Sequence, residues 1–303
     1  MRAAARAQAR AAEAEDPIHS GAWPRRVRRL AGEPGEPPHA PHAEVRYSLF
    51  GGSVARFGAT VEDKVDYSGE GAFDKFFLQF FARAMAERMG EKDVPESFDD
   101  FVELSRKVVA RFDAKGCGEM TLGILRDVMP PGTPTVFRFL FPPSKFGCEA
   151  NAWVTTQFFS FLVGPSSVTE ATVNDTVEAK REGRPQTIRS RVHVTKCRWL
   201  EQSGCVASCQ SMCKHPTQDF FNNEFGLPLT MNPNYETLSC ELVFGQSPPS
   251  QEEDIASAEG CLSSCNTGVG VGTDAPCHQL PNTAAYLARL EEARAVRDEQ
   301  ESA

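Results

Sequence analysis

Apolar residues recur at steps of three and four from Phe73 through Phe76, Phe77, Phe80 and Phe81 to Met85. That period fits one face of an α-helix and predicts a helix whose Phe stripe packs on a core. A second helix opens at Ser97-Phe-Asp-Asp100, a capping box with Asp in place of Glu or Gln. It carries Phe101, Leu104, Val108 and Phe112, and Gly116 reads as its stop. Residues 121–129, 136–140 and 151–163 predict three more helices, ended at Pro130-Pro131, Pro142-Pro143 and Gly164-Pro165. Residues 166–187 then turn polar. Residues 188–194 alternate and are β-branched, so they predict a strand, and 242–244 predict a second strand that pairs with it. Residues 216–225 read as a helix ended by Gly226, and 283–297 as a charged, solvated one.

The expected class is α+β: a Phe-rich helical N-terminal part packed on a small cysteine-rich part with a short β-sheet. The expected boundaries are a disordered leader at 1–65, a helical part with an apolar pocket at 66–165, a cysteine-rich part at 166–265, and a flexible tail with a solvated helix at 266–303.

The chemistry-bearing residues concentrate in that third segment. Cys197, Cys205, Cys209, Cys213, Cys240, Cys261 and Cys265 all fall there, and 205/209, 209/213 and 261/265 share a four-residue step. In a helix, residues four apart share a face, so Cys205, Cys209 and Cys213 predict a thiol stripe. A straight helix would put the outer two roughly 12 Å apart. Metal–thiolate bonds are only about 2.3 Å long, so one ion cannot hold all three unless the helix breaks. Gly204 and Pro216 are the expected break points. A multi-iron cluster tolerates the spacing better. A metal or iron–sulfur site, a disulfide framework and ordinary core thiols all remain open. The chain's length and the lack of a Leu-rich signal favour the first. No Cys-x-x-Cys occurs, which argues against a thioredoxin-like function. Glu201, His215 and Asp219 flank the run as candidate acid–base or ligating groups, whereas His193 reads as an exposed or hydrogen-bonded strand histidine.

Charge and leader narrow the class further. The formal net charge is −9 and no basic block stands out, which excludes a nucleic-acid reading. No apolar run reaches the ~18–20 residues of a membrane-spanning helix. The first residues are rich in Arg and Ala and free of acid before Glu13, compatible with an organelle transit peptide. Gly268-Val-Gly-Val-Gly272 follows no strand and opens no helix, so it is not a nucleotide loop.

One string is more specific than any spacing. Cys197-Arg-Trp-Leu-Glu-Gln-Ser-Gly-Cys205-Val-Ala-Ser-Cys209-Gln-Ser-Met-Cys213-Lys-His-Pro-Thr-Gln-Asp-Phe-Phe, continued by Gly226-Leu-Pro-Leu, Pro233-Asn-Tyr, Ser239-Cys240, Phe244-Gly and Cys261-Leu-Ser-Ser-Cys265, resembles the plastid β-carotene isomerase family of strigolactone biosynthesis, the "dwarf twenty-seven" type. The likeness covers about residues 67–265. It implies a plastid enzyme that interconverts all-trans and 9-cis β-carotene with iron, mononuclear non-haem or in an iron–sulfur cluster. Of the thiols, Cys205, Cys209, Cys213, Cys261 and Cys265 are the expected metal ligands; Cys240 is a further cofactor contact and Cys197 ranks last. The Phe-rich helices are expected to supply an apolar tunnel, and peripheral contact with a plastid membrane is expected because the substrate lives in lipid. The competing reading is a non-catalytic, metal-stapled module that binds a carotenoid or a protein.

Overall fold

The computed structural model describes residues 44–47, 53–58 and 63–250, together with 253, 254, 256, 261, 262 and 265. The Arg/Ala-rich leader, Gly268–Gly272 and the expected helix at 283–297 lie outside the described residues.

A small antiparallel sheet comes first, with β1 (Glu44–Tyr47), β2 (Ser53–Arg56) and β3 (Asp66–Gly69) in that order. It occupies part of the stretch that the sequence pattern leaves to the leader. α1 (Ala72–Met89) follows and ends at Gly90, whose φ of 72° gives the left-handed turn that terminates a helix. Its Phe stripe divides. Phe77 and Phe81 pack on the fully buried Phe161, at ring distances of 6.1 and 5.4 Å. Phe76 and Phe80 instead face outward.

α2 (Phe98–Arg111) has the expected capping box, with Ser97 and Asp100 each accepting the other's backbone N–H. Gly116 does not stop it. Asp113 accepts the Gly116 N–H at 2.8 Å and so opens the next helix, α3 (Ala114–Asp127), seven residues earlier than the apolar pattern alone suggests. α4 (Thr133–Leu140) follows. The helix predicted at 151–163 is two, α5 (Lys145–Phe158) and the single turn α6 (Ser160–Val163), separated where Phe159 leaves helical geometry.

The polar stretch that follows is also structured. β4 (Ser166–Val173) and the short α7 (Val177–Glu182) precede β5 (Gln186–Val194). The main sheet has the order β4-β5-β7-β6 and is antiparallel throughout, with β6 at Leu229–Pro233 and β7 at Cys240–Phe244. β5 alternates as predicted: Ile188, Ser190, Val192 and Val194 are buried under α5, while Thr187 and Arg189 are exposed. The register sets Val194 opposite Cys240, and Cys240 opposite Pro233. Cys197 lies three residues past Val194. Strand pairing therefore delivers Cys240 to the chain around Cys197. Helices and sheet share one hydrophobic core, from Leu78 and Phe101 to Val192 and Phe244.

Candidate functional site

Beyond β5 the chain turns through α8 (Arg198–Ser203), which ends at Gly204 with φ 58°. It then forms one helical rod from Val206 to Phe225. α9 (Val206–Cys209) and α10 (His215–Asp219) alternate with two π-helical stretches, Gln210–Lys214 and Phe220–Phe225, and Gly226 closes the rod. Pro216 does not break it. Proline has no N–H to give and its ring crowds the carbonyl four residues back. The wide turn just before it, in which the His215 N–H reaches back to the Gln210 carbonyl, relaxes that constraint.

The thiol stripe divides at its first member, whose backbone is extended rather than helical. Cys205 sits at the N-cap of α9, where its sulfur accepts the Ser208 N–H at 3.4 Å. Cys209 and Cys213 face a small enclosed cavity, and Cys197 and Cys240 complete a set of four thiols on its wall. Val163, Trp199, Leu200, Met231, Pro233 and Leu242 supply the apolar remainder, with Lys214 at the edge. The cavity measures about 10 Å³, the space of roughly one water-sized sphere. Cys261 is buried in the main core and Cys265 packs against it; neither lines the cavity.

Several contacts fix these thiols. The Cys197 N–H donates to the Leu238 carbonyl at 2.6 Å. Leu238 has φ 59°, a left-handed backbone unusual for a branched side chain, at the turn between β6 and β7. In the same turn Asn234 accepts the N–H groups of Glu236 and Thr237. That turn carries Tyr235, whose hydroxyl lies 3.9 Å from the Cys209 sulfur and receives a hydrogen bond from Gln210. Gln210 also bonds the Ala256 carbonyl, and Lys214 Nζ lies 2.6 Å from Asp254 Oδ2, with both side chains buried. The 254–256 segment is thus tied to the first π-helical stretch. Lys214 and Tyr235 lie within the family-like string without a role read from it, and Asp254 lies outside it; their contacts become visible only in three dimensions.

All four cavity thiols are held protonated at neutral pH. Burial pushes Cys197 up to about 11, with the Leu200 and Trp199 N–H groups pulling the other way. It pushes Cys209 up to about 12, and Cys213 and Cys240 well above the ordinary thiol range. None is an activated nucleophile, which would need a depressed value. Chemically the arrangement offers soft sulfur donors in a dry pocket. Among the described residues, however, no three His, Cys, Asp or Glu side chains form a group able to hold a metal ion.

The flanking candidates stand elsewhere. Glu201 is buried away from the cavity, 2.8 Å from Lys196 Nζ, and accepts the Val65 N–H at 3.1 Å. Asp219 accepts a hydrogen bond from Asn223 on the outer side of the rod. His215 does not line the cavity, and burial lowers it to about 4, so it is neutral at physiological pH. His193 stands on β5, partly buried, with Nδ1 3.9 Å from Glu241 Oε1, away from the cavity.

A family profile described as "Beta-carotene isomerase D27-like, C-terminal" matches residues 161–253, the stretch that carries the main sheet, the rod and the four cavity thiols. The "Beta-carotene isomerase D27, chloroplastic" of Arabidopsis thaliana is 35% identical over 202 residues, which cover 66% of this chain and 73% of that protein. The protein of the same name from Medicago truncatula is 34% identical over 193 residues, covering 64% and 73%. No solved structure matches the chain. At that identity and coverage, the chain belongs to the D27-like β-carotene isomerase family.

Proposed function

We propose that this protein is a plastid β-carotene isomerase that interconverts the all-trans and 9-cis forms with the help of iron. The carotenoid isomerase activity and the plastid location follow from the names of its relatives. The bond that turns and the iron dependence are the finer part of the proposal. The observation that carries it is the four-thiol cavity lying inside the family-matched segment.

The donor types suit iron, because thiolates hold it in many one-electron sites. Rotation about a conjugated double bond needs that bond transiently weakened, and one-electron chemistry, which zinc lacks, is what bound iron supplies. Cys197, Cys209, Cys213 and Cys240 are the residues that would hold it. Among the described residues no three donors converge as the thiols now stand.

The chain's own residues supply the surroundings. Val163, Leu200, Met231 and Leu242 exclude water from the thiols. A pocket of about 10 Å³ is far below the ~300–1,000 Å³ of ordinary ligand clefts, so a polyene must approach the thiols from outside the cavity. Aromatic rings mark one such approach: Phe76 meets Phe77 at 5.5 Å, Phe77 meets Phe161 at 6.1 Å, and Phe161 shares α6 with the cavity residue Val163.

The test uses anaerobically purified protein incubated with all-trans-β-carotene, with and without ferrous iron, and chromatographic separation of isomers. Iron-dependent growth of the 9-cis isomer is expected. No isomer change in either condition, with the protein folded, would overturn the proposal.

A further inference from the structure

Nine large apolar side chains are exposed among the described residues, and six of them lie between residues 136 and 154. Val136, Phe139 and Leu140 stand on α4 with exposures of 57, 84 and 56%. Phe146 and Trp153 stand on α5 at 70 and 48%, seven residues apart and so on one helix face, with Val154 beside them. Val177 adjoins them, since its N–H donates to the Pro143 carbonyl in the α4–α5 connection at 2.8 Å. At the far end of α5, Phe158 meets Phe73 and Phe77 of α1, the helix that exposes Phe76 and Phe80.

Within the stretch that carries most of this surface the charges have one sign. In a chain with 41 acidic residues and net charge −9, residues 128–148 contain no acid and two bases, Arg138 and Lys145. Of the flanking acids, Asp127 pairs with Arg88 at 2.6 Å, Glu149 accepts the Arg189 N–H and Glu178 accepts the Lys145 N–H. Arg138 holds the carbonyls of Asn223 and Glu224, whereas the Lys145 ammonium is exposed. On α1 the exposed Phe76 and Phe80 alternate with exposed Lys75 and Arg83. Apolar side chains with a cationic rim on an acidic protein are complementary to an anionic lipid surface. No described helix is long and apolar enough to cross a membrane, so the helices would lie on the lipid rather than span it.

We infer that the exposed apolar surface of α4 and α5, flanked by Lys145 and continued by Phe76 and Phe80 of α1, docks the protein onto an anionic bilayer. This goes beyond the isomerase reading and stands independently of the thiols.

The test is flotation of the full chain with vesicles of phosphatidylcholine alone or mixed with phosphatidylglycerol. Binding to the mixed vesicles is expected, with a blue shift of Trp153 emission in a Trp23→Phe background; Trp199 is already buried. A Phe139→Ser/Phe146→Ser variant should bind at least about tenfold more weakly, since it removes two large apolar side chains from the docking surface. Lys145→Glu should weaken binding to the anionic vesicles. These side chains are exposed, so both variants should melt like the parent, and both should isomerise detergent-dispersed carotenoid normally. Loss of vesicle binding with activity kept therefore separates this inference from the isomerase reading. Folded parent protein that floats with neither vesicle, variants that float as well as the parent, or a concentration-dependent dimer that the Phe139→Ser/Phe146→Ser variant abolishes would each overturn it.

Discussion

The Lys214–Asp254 pair offers a sharp test of how the thiol cavity is held. The two charged atoms lie 2.6 Å apart, and the side chains are 1% and 7% exposed. Lys214 sits on the cavity wall beside Cys213. Replacing Asp254 by Asn keeps the size and removes the charge, which leaves an ammonium uncompensated in an apolar setting. Breaking one partner of a buried pair costs about 3–5 kcal/mol. For a domain of this size each kcal/mol lowers the melting temperature by about 2–4 °C, so the expected drop is about 6–20 °C. Lys214→Met/Asp254→Leu removes both charges and should recover most of that loss, because an apolar replacement of a buried pair is often neutral or better. Melting curves followed by circular dichroism for the parent, Lys214→Met, Asp254→Leu and the double variant form the cycle, with Asp254→Asn measured beside them. If Asp254→Asn melted within about a degree of the parent, the pair would not be buried in solution, and the tie between the 254–256 segment and the π-helical stretch would fall with it.

Three further outcomes follow from the site. Cys197→Ser and Cys209→Ser should each lose iron loading and isomerase activity, whereas Cys148→Ser, a buried thiol away from the cavity, should keep both; elemental analysis beside isomer chromatography checks this. Stability should fall on the alkaline side. The four thiols titrate above their ordinary range near 8.5 when folded, so they contribute stability that is complete below that value and is lost as pH rises toward about 11–12; alkaline denaturant titrations of metal-free protein would show it. Phe161→Ala should cost about 3–5 kcal/mol by emptying the centre of the aromatic cluster, measured as a shift in urea midpoint.

The helices were legible because their signals are local. The α1 stripe and the Ser97–Asp100 box announce themselves within a few residues, and β5 alternates cleanly between buried and exposed. β4 was not legible. Its Ser-Ser-Val-Thr-Glu-Ala-Thr-Val sequence lies at the sheet edge with most positions only partly covered, so no apolar face marks it. β6 hid behind its terminal Pro233, which an edge strand tolerates. The site was half legible. Cys209 and Cys213 stand out by spacing, but an α-helical period carries Cys205 with them, and only its extended backbone at the helix N-cap sets it apart. Cys197 and Cys240 belong to no four-residue pair and stand 43 positions apart in the chain. Strand pairing of Val194 with Cys240 erases that distance, and no local pattern encodes it.

The segment that carries three of the cavity thiols is pinned by buried charge pairs, and this has a structural logic. Lys196–Glu201, Arg198–Glu70 and Lys214–Asp254 each join the α8-to-rod segment to another part of the chain or brace its entry. Arg198 also lies 3.8 Å over the Phe98 ring and donates to the Phe161 carbonyl. Burying three such pairs adds little net stability, since desolvation offsets most of the attraction. Their directional geometry does something a greasy interface cannot: it fixes rotation and register. An apolar helix can slide on an apolar sheet at small cost, but a guanidinium held between a carboxylate and two rings cannot. The thiols need that restraint, because Cys197 precedes α8, Cys209 and Cys213 ride on the rod, and Cys240 opens β7. Small relative motions of these elements would scatter them. Replacing Arg198 by Met should therefore leave the helices formed while loosening the alignment of Cys197 with Cys209, and iron loading should fall further than melting temperature. Equal loss of both would show that Arg198 acts through general stability alone.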